Sequence, residues 1–283
     1  MLTTVTAGPY TIRGVSVGGV YTSLAVPELG LVFDAGIAPR SSGGIDTILL
    51  SHGHADHVGA LASLLGIRAL HGKQTAPRVI MPAEIVGDLT TALDALSRLQ
   101  RFPLAIEPIG MLPGDEHALR GDLRIRAIRT FHPVPSLAYV VVRRVSKLRA
   151  DLRGLPGPQI AARRLAGEPV SEHEDRLELA YATDTLVSVL DHNPDLYRVR
   201  VLIMECTFLD ERKSLEAARA GCHIHLDELV ERADRFENEH VVVMHLSQLY
   251  RPDEVAGILD ARVPSGLRKR MIVFAPQSSH WPG

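Results

Sequence analysis

The segment Ser51-His52-Gly53-His54-Ala55-Asp56-His57 places four side chains that can bind a metal within six residues. It directly follows the apolar run Thr47–Leu50, which has the pattern of a buried strand. A loop at the end of a strand can direct successive side chains into one cavity, whereas a helix would spread them around its axis. Imidazole and carboxylate groups are ligands that suit zinc. The segment therefore predicts a metal site at a strand end.

Further ligands are expected elsewhere in the chain, because two metal ions need about six or seven protein ligands between them. Three candidates stand where predicted strands end. They are His132 after Leu123–Phe131, Asp184 after Glu178–Ala182, and His245 after Val241–Met244. Each of them alone could be a structural residue. Together with the first segment they complete the ligand set of a two-metal site.

Strand and helix patterns alternate along the rest of the chain. The first part predicts strands at Tyr10–Val17, Val20–Val26, Leu31–Asp34, Thr47–Ser51 and Val79–Pro82, and helices at Val58–Leu65 and Ala83–Leu99. The second part predicts strands at Leu104–Ile109, Leu123–Phe131, Leu137–Val142, Glu178–Ala182, Val199–Glu205 and His240–His245, a helix at His225–Phe236, and a last helix and strand. Two runs of strands with helices predict an α/β (α+β) fold in which two packed β-sheets have helices outside.

The composition limits the classes of function. The chain has 283 residues and a formal net charge of −2, which predicts one domain over residues 1–283 without a general attraction to nucleic acid. Its two cysteines, Cys206 and Cys222, are too few for a disulfide framework and predict a reducing, cytoplasmic setting. The first residues lack a signal-peptide pattern, and no apolar run approaches the roughly 18 to 20 residues of a membrane helix. No membrane association is expected.

Residues 143–177 interrupt the strand pattern with glycine, proline and clustered charge, which predicts an inserted arm. Between residues 143 and 168 there are seven basic residues against two acidic ones, Asp151 and Glu168. The basic residues are Arg143, Arg144, Lys147, Arg149, Arg153, Arg163 and Arg164. Such a cluster can bind phosphate groups, which makes the arm a candidate RNA-binding surface. A solvated basic loop without a ligand is the alternative.

The order of these motifs resembles the metallo-β-lactamase fold superfamily. Within it, the chain is similar to the short-form ribonuclease Z group, the tRNA 3′-processing endonucleases. The matching blocks are Ser16–Gly19, Phe33–Gly36, the metal segment Ser51–His57, Thr130–His132, Ala182–Thr185, Met204–Phe208 and His245–Ser247. The Glu205–Phe208 block and the His-x-Ser-x-x-Tyr pattern ending at Tyr250 narrow the resemblance to this group. The resemblance implies an αββα four-layer sandwich, in which two mixed β-sheets are flanked by helices.

The resemblance also implies a role for each candidate residue. One metal ion would be bound by His52, His54 and His132, the other by Asp56, His57 and His245, and Asp184 would bridge them. The ions would be two Zn²⁺, although the same ligands accept Mn²⁺ or Fe. Asp56 would orient the attacking hydroxide, and Glu205 with His223 would supply a proton to the leaving oxygen. His225, two residues further on, is the alternative proton donor.

The implied activity is zinc-dependent hydrolysis of phosphodiesters by a hydroxide that two metal ions activate. The substrate would be precursor tRNA, whose 3′ trailer a homodimer would remove by an endonucleolytic cut. A phosphodiesterase for a small molecule such as a cyclic nucleotide is the enzymatic alternative, and a non-catalytic scaffold is the alternative of a different class. The chain departs from the group at Leu249, where many relatives have an arginine that can position phosphate.

Overall fold

The computed structural model describes residues 2–282, and its first half forms a seven-stranded sheet. The strands, in spatial order, are β1 (Thr3–Ala7), β2 (Tyr10–Val17), β3 (Tyr21–Val26), β4 (Leu31–Phe33), β5 (Thr47–Leu49), β6 (Arg78–Pro82) and β7 (Glu107–Met111). Strands β1 to β4 pair antiparallel, and strands β4 to β7 pair parallel. The parallel pairing places the carboxyl ends of β4 and β5 at the same edge.

The second half forms another seven-stranded sheet with the same sequence of pairings. Its strands are β8 (Glu116–Ala118), β9 (Leu123–Arg129), β10 (Leu137–Leu148), β11 (Ser171–Ala182), β12 (Val201–Glu205), β13 (His240–Met244) and β14 (Met271–Val273). Strands β8 to β11 pair antiparallel, and strands β11 to β14 pair parallel. The carboxyl ends of β9, β11, β12 and β13 therefore lie at one edge.

Helices cover the outer faces of both sheets. They are α1 (Ala55–Val58), α2 (Leu61–Leu70) and α3 (Val86–Gln100) on the first sheet, α4 (Gly157–Leu165) within the arm, and α5 (Ser188–His192), α6 (Leu215–Ala220), α7 (Leu226–Glu231), α8 (Val255–Arg262) and α9 (Ser265–Arg268) on the second. These layers confirm the predicted architecture of two mixed sheets flanked by helices. No helix within residues 2–282 is long and apolar enough to cross a membrane.

Three hydrophobic clusters separate the four layers, one between the sheets and one under each group of helices. In β13, Val243 faces the helices, whereas Val242 and Met244 face the other sheet, because successive side chains of a strand point to opposite faces. Parallel strands that are buried on both faces have continuous apolar sequences, as observed here. Truncation of a fully buried side chain such as Phe33 to alanine would cost about 3 to 5 kcal/mol.

Several element boundaries differ from those expected. Strands β1 and β8 were not expected, and the helix expected at Val58–Leu65 is divided into α1 and α2. The division occurs because the backbone N–H of Ala60 donates to the carbonyl of Ala35, 2.8 Å away, instead of continuing α1. The helix expected from Ala83 begins as a 3₁₀ turn, and α3 starts at Val86.

Residues 143–177 contain more regular structure than the sequence indicated. Strand β10 continues through Leu148, β11 begins at Ser171, and the two pair antiparallel up to that point. Helix α4 lies between them in the chain, and Leu152 and Val170, which flank it in sequence, are buried. The arm is therefore a two-stranded ribbon with a helix at its tip.

Candidate metal centre

The candidate ligands lie at the edge where the carboxyl ends of strands from both sheets meet. The Leu137 N–H donates to the carbonyl of Ser51, 2.9 Å away, and joins the metal segment to the second sheet. Asp34, Asp184 and His245, which follow β4, β11 and β13, have φ angles of 57°, 46° and 57°. A positive φ is uncommon for residues other than glycine and typically costs about 1 to 3 kcal/mol. Three strand ends at this edge therefore have a strained backbone.

One group of metal donors comprises His52, His54, His132 and Asp184, whose ligand atoms all lie within 4.8 Å of one another. Nδ1 of His54 lies 3.1 Å from Nε2 of His52 and 3.3 Å from Nε2 of His132. Two nitrogens that bind one tetrahedral zinc ion at about 2.0 to 2.1 Å lie about 3.3 to 3.4 Å apart. The spacing of these imidazole nitrogens fits a shared metal ion.

A second group comprises Asp56, His57, Asp184 and His245, within the same limit of 4.8 Å. Oδ1 of Asp184 lies 3.5 Å from Nε2 of His57 and 3.3 Å from Nε2 of His245. Its Oδ2 lies 3.8 Å from Nε2 of His52 in the first group. Burial by itself raises the pKa of Asp184, but the nearby histidines hold this pKa below its usual range. The Asp184 carboxylate therefore faces both groups in its ionised form.

Two imidazole nitrogens in the second group test whether these residues fit a metal ion. Nε2 of His57 and Nε2 of His245 are buried and have no hydrogen-bond partner within residues 2–282. Such orphaned atoms are rare and cost about 1 to 3 kcal/mol each. Burial lowers the pKa of His57, but Asp34 and Asp184 raise it well above its ordinary value, so these two carboxylates favour a positive charge beside them. The residues fit a bound cation, which would supply both the missing partner and the charge.

Asp34 determines which nitrogen of His57 faces the centre. Its Oδ2 lies 2.7 Å from Nδ1 of His57 and accepts a hydrogen bond from the Tyr181 hydroxyl at 2.6 Å. The N–H and the hydroxyl of Ser51 also donate to Asp34, at 2.7 and 2.8 Å. Because the carboxylate only accepts, Nδ1 of His57 is protonated and Nε2 presents its lone pair to the centre.

Two hydroxyl groups orient further histidines in the same way. Oγ of Ser51 lies 3.0 Å from Nδ1 of His52, and Oγ1 of Thr207 lies 3.1 Å from Nδ1 of His245. Each hydroxyl donates its own hydrogen to a carboxylate, Ser51 to Asp34 and Thr207 to Glu205. Each oxygen is therefore an acceptor for the imidazole N–H, which leaves Nε2 of both histidines available for a metal.

Close backbone packing supports the metal segment. A Cβ atom at Gly36 would lie 1.8 Å from the carbonyl oxygen of Asp56, so only glycine fits there. The neighbouring Ala35 N–H donates to the carbonyl of His57, 2.6 Å away. The Phe33–Gly36 block thus holds the metal segment through its backbone as well as through Asp34.

Glu205 and His223 form a pair beside the second group. The Glu205 carboxylate is fully buried, and its Oε2 lies 3.1 Å from Nδ1 of His223. It also accepts the Thr185 N–H at 2.6 Å and the Ile224 N–H at 3.2 Å. Burial lowers the pKa of His223, but the charge and hydrogen bond of Glu205 raise this pKa to about 9. The His223 ring, 5.4 Å from the His245 ring, is therefore a charged group at neutral pH.

His225, the alternative proton donor, lies outside this cluster. Its Nδ1 accepts the N–H of Asp227, and Glu228 accepts the His225 N–H, so His225 is the N-cap of α7 in a capping box. Its Nε2 lies 3.1 Å from the Asp210 carbonyl. Both nitrogens thus have structural partners, whereas His223 reaches the centre.

The basic residues of the arm are largely paired with acidic ones. Six of the seven have a carboxylate within 4.0 Å, and Arg164 has no ion pair within residues 2–282. The partners include Glu172, Glu174 and Asp175 of β11, which lie across the ribbon from β10. The charge of the arm is therefore less concentrated than the count over residues 143–168 indicated. Arg143 differs from the others because it also binds the buried Glu178, at 3.1 Å.

Sequence reasoning assigned no role to three residues that orient the candidate ligands, namely Ser51, Thr207 and Tyr181. Two of them adjoin a candidate, since Ser51 precedes His52 and Thr207 follows Glu205 by two residues. A polar residue near a candidate site residue at the end of an apolar strand is the signal that could have identified Ser51 and Thr207. Tyr181 reaches Asp34 across the interface of the two sheets, and no local pattern indicates that contact.

Comparison with known proteins relates this geometry to a family. The model of the beta-lactamase superfamily domain matches residues 31–246. The Arabidopsis thaliana protein named tRNase Z TRZ1 is 34% identical over 257 residues, which are 90% of this chain and 91% of that protein. The chloroplastic tRNase Z TRZ2 of the same plant is 33% identical over 248 residues, which are 87% of this chain and 70% of that protein.

A solved structure agrees in fold. The human short-form tRNase Z superposes with a TM-score of 0.58 at 17% sequence identity, over 92% of this chain and 93% of that one. The resemblance that the motifs indicated is therefore confirmed. By both the family model and its relatives, the chain belongs to the tRNase Z family of the beta-lactamase superfamily.

Proposed function

We propose that this chain is a metal-dependent endoribonuclease that removes 3′ trailers from precursor tRNA. The observation that carries the proposal is the presence, at one strand edge, of two metal-donor groups joined by Asp184 and of the Glu205–His223 pair. Relatives named tRNase Z, which align over most of the chain, support this substrate. The family assignment makes the chain a hydrolase.

The two donor groups would hold two metal ions, with Asp184 shared between them. The first ion would bind His52, His54 and His132, and the second Asp56, His57 and His245. Ligands of this kind without cysteine suit Zn²⁺ and also accept Mn²⁺ or Fe. When bound, such ions lower the pKa of water and offset negative charge on a phosphodiester. The Asp56 carboxylate is 17% exposed, so it can accept a hydrogen bond from the attacking water and take up its proton.

His223 would supply the proton to the leaving oxygen. Its side chain is 20% exposed, and Glu205 keeps it charged and fixes its Nδ1, so Nε2 is the donor to the substrate. Proton donation by a positioned group contributes typically about 10² to 10⁴ in rate, most where the leaving group is a poor one such as a ribose 3′-oxygen.

The arm would bind the RNA backbone. Exposed ion pairs contribute only about 0 to 1 kcal/mol, so phosphate groups can replace the acidic partners of its arginines. We further propose a homodimer in which the arm of one subunit holds the RNA that the other cuts, in a cytoplasmic setting that suits the two free cysteines. A single monomeric species in size-exclusion chromatography with light scattering would exclude this dimer.

A phosphodiesterase for a small molecule is the second candidate. The pairing of six arm cations leaves less free positive charge for RNA than the sequence indicated. In addition, Leu249 is half exposed at the position where the resemblance implies an arginine that can position phosphate. Both observations favour a substrate that does not need contacts between the protein and several phosphate groups.

Cleavage of a precursor tRNA that carries a 3′ trailer, with the product ends mapped, tests the proposal. The wild type should cut once beside the discriminator base. Asp184→Ala should lower the rate about a thousandfold or more, because it removes a ligand of both groups. Asp94→Ala, an exposed carboxylate on α3, is the matched control and should cut normally.

The other outcomes separate the candidates. Loss of bis(p-nitrophenyl) phosphate hydrolysis in Asp184→Ala, in a protein that never cuts RNA, would move the small-molecule phosphodiesterase to first place. Equal activity of wild type and Asp184→Ala on both substrates would contradict the metal centre itself.

A further inference from the structure

The His223 segment contacts the loop that follows β12. The His223 N–H itself donates to the Ala218 carbonyl at 3.1 Å, and the Leu226 N–H donates to the Phe208 carbonyl of the loop at 2.8 Å. Residues 206–214 follow β12 and include Thr207, whose hydroxyl donates to Glu205 at 2.6 Å. On one side, the Phe208 N–H donates to the Ile224 carbonyl at 3.3 Å, next to His223. On the other, the Ser247 N–H donates to the Thr207 carbonyl at 3.0 Å. The loop thus lies between the His223 segment and the residues that follow His245.

Tyr250 holds the far end of this loop. Its side chain is buried, and its hydroxyl accepts the N–H groups of Leu209 at 2.8 Å and Asp210 at 3.3 Å. Leu209 and Asp210 are themselves buried, so without that hydroxyl two backbone donors would lose their acceptor. The Arg212 guanidinium lies 4.5 Å from the centre of the Tyr250 ring and covers it. One hydroxyl group therefore fixes two consecutive peptides of the loop.

The C-terminal residues hold Tyr250 in turn. The indole N–H of Trp281 donates to the Tyr250 carbonyl at 2.7 Å, and the Trp281 ring packs on the outer core of the second sheet. The Tyr21 hydroxyl donates to the carbonyl of Pro282. Tyr21 ends the turn in which the Gly18 N–H donates to the Leu246 carbonyl at 3.0 Å. Trp281 and Pro282 thus link Tyr250 to the turn between β2 and β3, whose Gly18 contacts Leu246 beside His245.

We propose that Tyr250 and Trp281 are positioning residues for proton transfer to the leaving oxygen. Trp281 fixes Tyr250, Tyr250 fixes the Leu209–Asp210 peptides, and this loop fixes the Glu205–His223 pair. This inference rests on the proposed function of His223. Thr207 of this loop also contacts His245, but the His245 backbone N–H is held independently by Oγ of Ser16, at 3.1 Å. Loss of either residue should therefore slow mainly those reactions in which the leaving oxygen needs a proton.

Two uridine phosphodiesters that differ in leaving group test the inference. The leaving group of uridylyl-uridine is a ribose alkoxide, which needs a proton. The leaving group of the p-nitrophenyl ester of uridine 5′-phosphate is p-nitrophenolate, a stable anion that needs none. Tyr250→Phe should lower kcat for uridylyl-uridine about tenfold or more, with KM and metal content unchanged. Its kcat for the p-nitrophenyl ester should stay within about twofold of the wild type.

Tyr197→Phe is the matched control, because it also removes a buried hydroxyl from the outer core of the second sheet. That hydroxyl has no hydrogen-bond partner within residues 2–282. Both substrates should therefore be cleaved normally. Trp281→Phe, which keeps an aromatic ring but loses the N–H, should show the effect of Tyr250→Phe in weaker form. Trp281 is the only tryptophan, so an unchanged emission spectrum in Tyr250→Phe would show that the tail is still in place.

The possible failures are distinct. A wild type that hydrolyses no phosphodiester would overturn the proposed function. Equal losses on both substrates in Tyr250→Phe, or no loss on either, would overturn the positioning role and leave the proposed function intact. Should Tyr250→Phe not fold, the ratio of the two kcat values in Trp281→Phe decides the question in the same way.

Discussion

At the candidate metal centre, three imidazole nitrogens, Nε2 of His57, Nε2 of His245 and Nδ1 of His132, are buried without a hydrogen-bond partner within residues 2–282. In the arm, by contrast, six of the seven basic side chains predicted to bind RNA have an acidic partner. Strained backbone also concentrates at the metal edge, at Asp34, Asp184 and His245. A buried donor set without partners carries a free-energy cost that a bound ligand would remove, whereas an exposed ion pair is weak and exchangeable. The metal centre thus indicates that its ligand is a cation, whereas the arm does not indicate which ligand it binds.

Metal removal should produce the largest difference between the two regions. A strong chelator should abolish phosphodiester hydrolysis and lower Tm by about 10 °C, because saturation at a thousand times Kd adds about 4 kcal/mol and each kcal/mol shifts Tm by about 2 to 4 °C in a chain of this size. Scanning calorimetry of the metal-loaded and chelated protein measures the shift.

The variant Asp184→Ala serves as the control for this measurement. It should have a low Tm that responds little to the chelator, because Asp184 belongs to both donor groups. Identical Tm values for the loaded and chelated wild type would mean that the orphaned nitrogens of His57 and His245 are not metal ligands.

Removal of the arm should have a smaller and more selective effect. Residues 149–170 can be replaced by Asn-Gly, because Leu148 and Ser171 pair across the ribbon and this dipeptide closes a two-residue hairpin. The shortened protein should cleave precursor tRNA about a hundredfold less efficiently, through KM, since it loses several phosphate contacts. Hydrolysis of bis(p-nitrophenyl) phosphate and the response to chelator should stay as in the wild type. An unchanged KM for RNA would show that the arm is a solvated loop.

Single arginines of the arm should produce the smallest effects, of two different kinds. Arg164→Ala should reduce the slope of log affinity for RNA against log salt concentration by about one. It should leave the free energy of unfolding unchanged, because Arg164 has no ion pair within residues 2–282. Arg143→Ala should leave that slope unchanged and cost about 1 kcal/mol, because buried Glu178 loses a hydrogen-bond donor. Filter binding at several salt concentrations and urea unfolding separate the two. The reverse pattern would make Arg143 the RNA contact.

The sequence predicted most of the parallel strands and all seven candidate ligands, because each depends on short-range pattern. An apolar run followed by His-x-His-x-Asp-His needs no tertiary information to indicate a strand end with a metal site. The arm was harder to predict. Asp175 and Glu174 follow Arg144 and Lys147 by 31 and 27 residues along the chain, and only the antiparallel register brings Asp175 opposite Arg144 and Glu174 beside Lys147.

By itself, the sequence determined the layered fold, the family and the identity of the candidate ligands, since side-chain chemistry and periodicity are local properties. Only the tertiary structure decided how those ligands are oriented. Tyr181 contacts Asp34, and Trp281 contacts Tyr250, across separations of 147 and 31 residues. Such contacts depend on how the two sheets pack and on where Trp281 lies, and hydrogen bonds between distant residues leave no periodic pattern in the sequence.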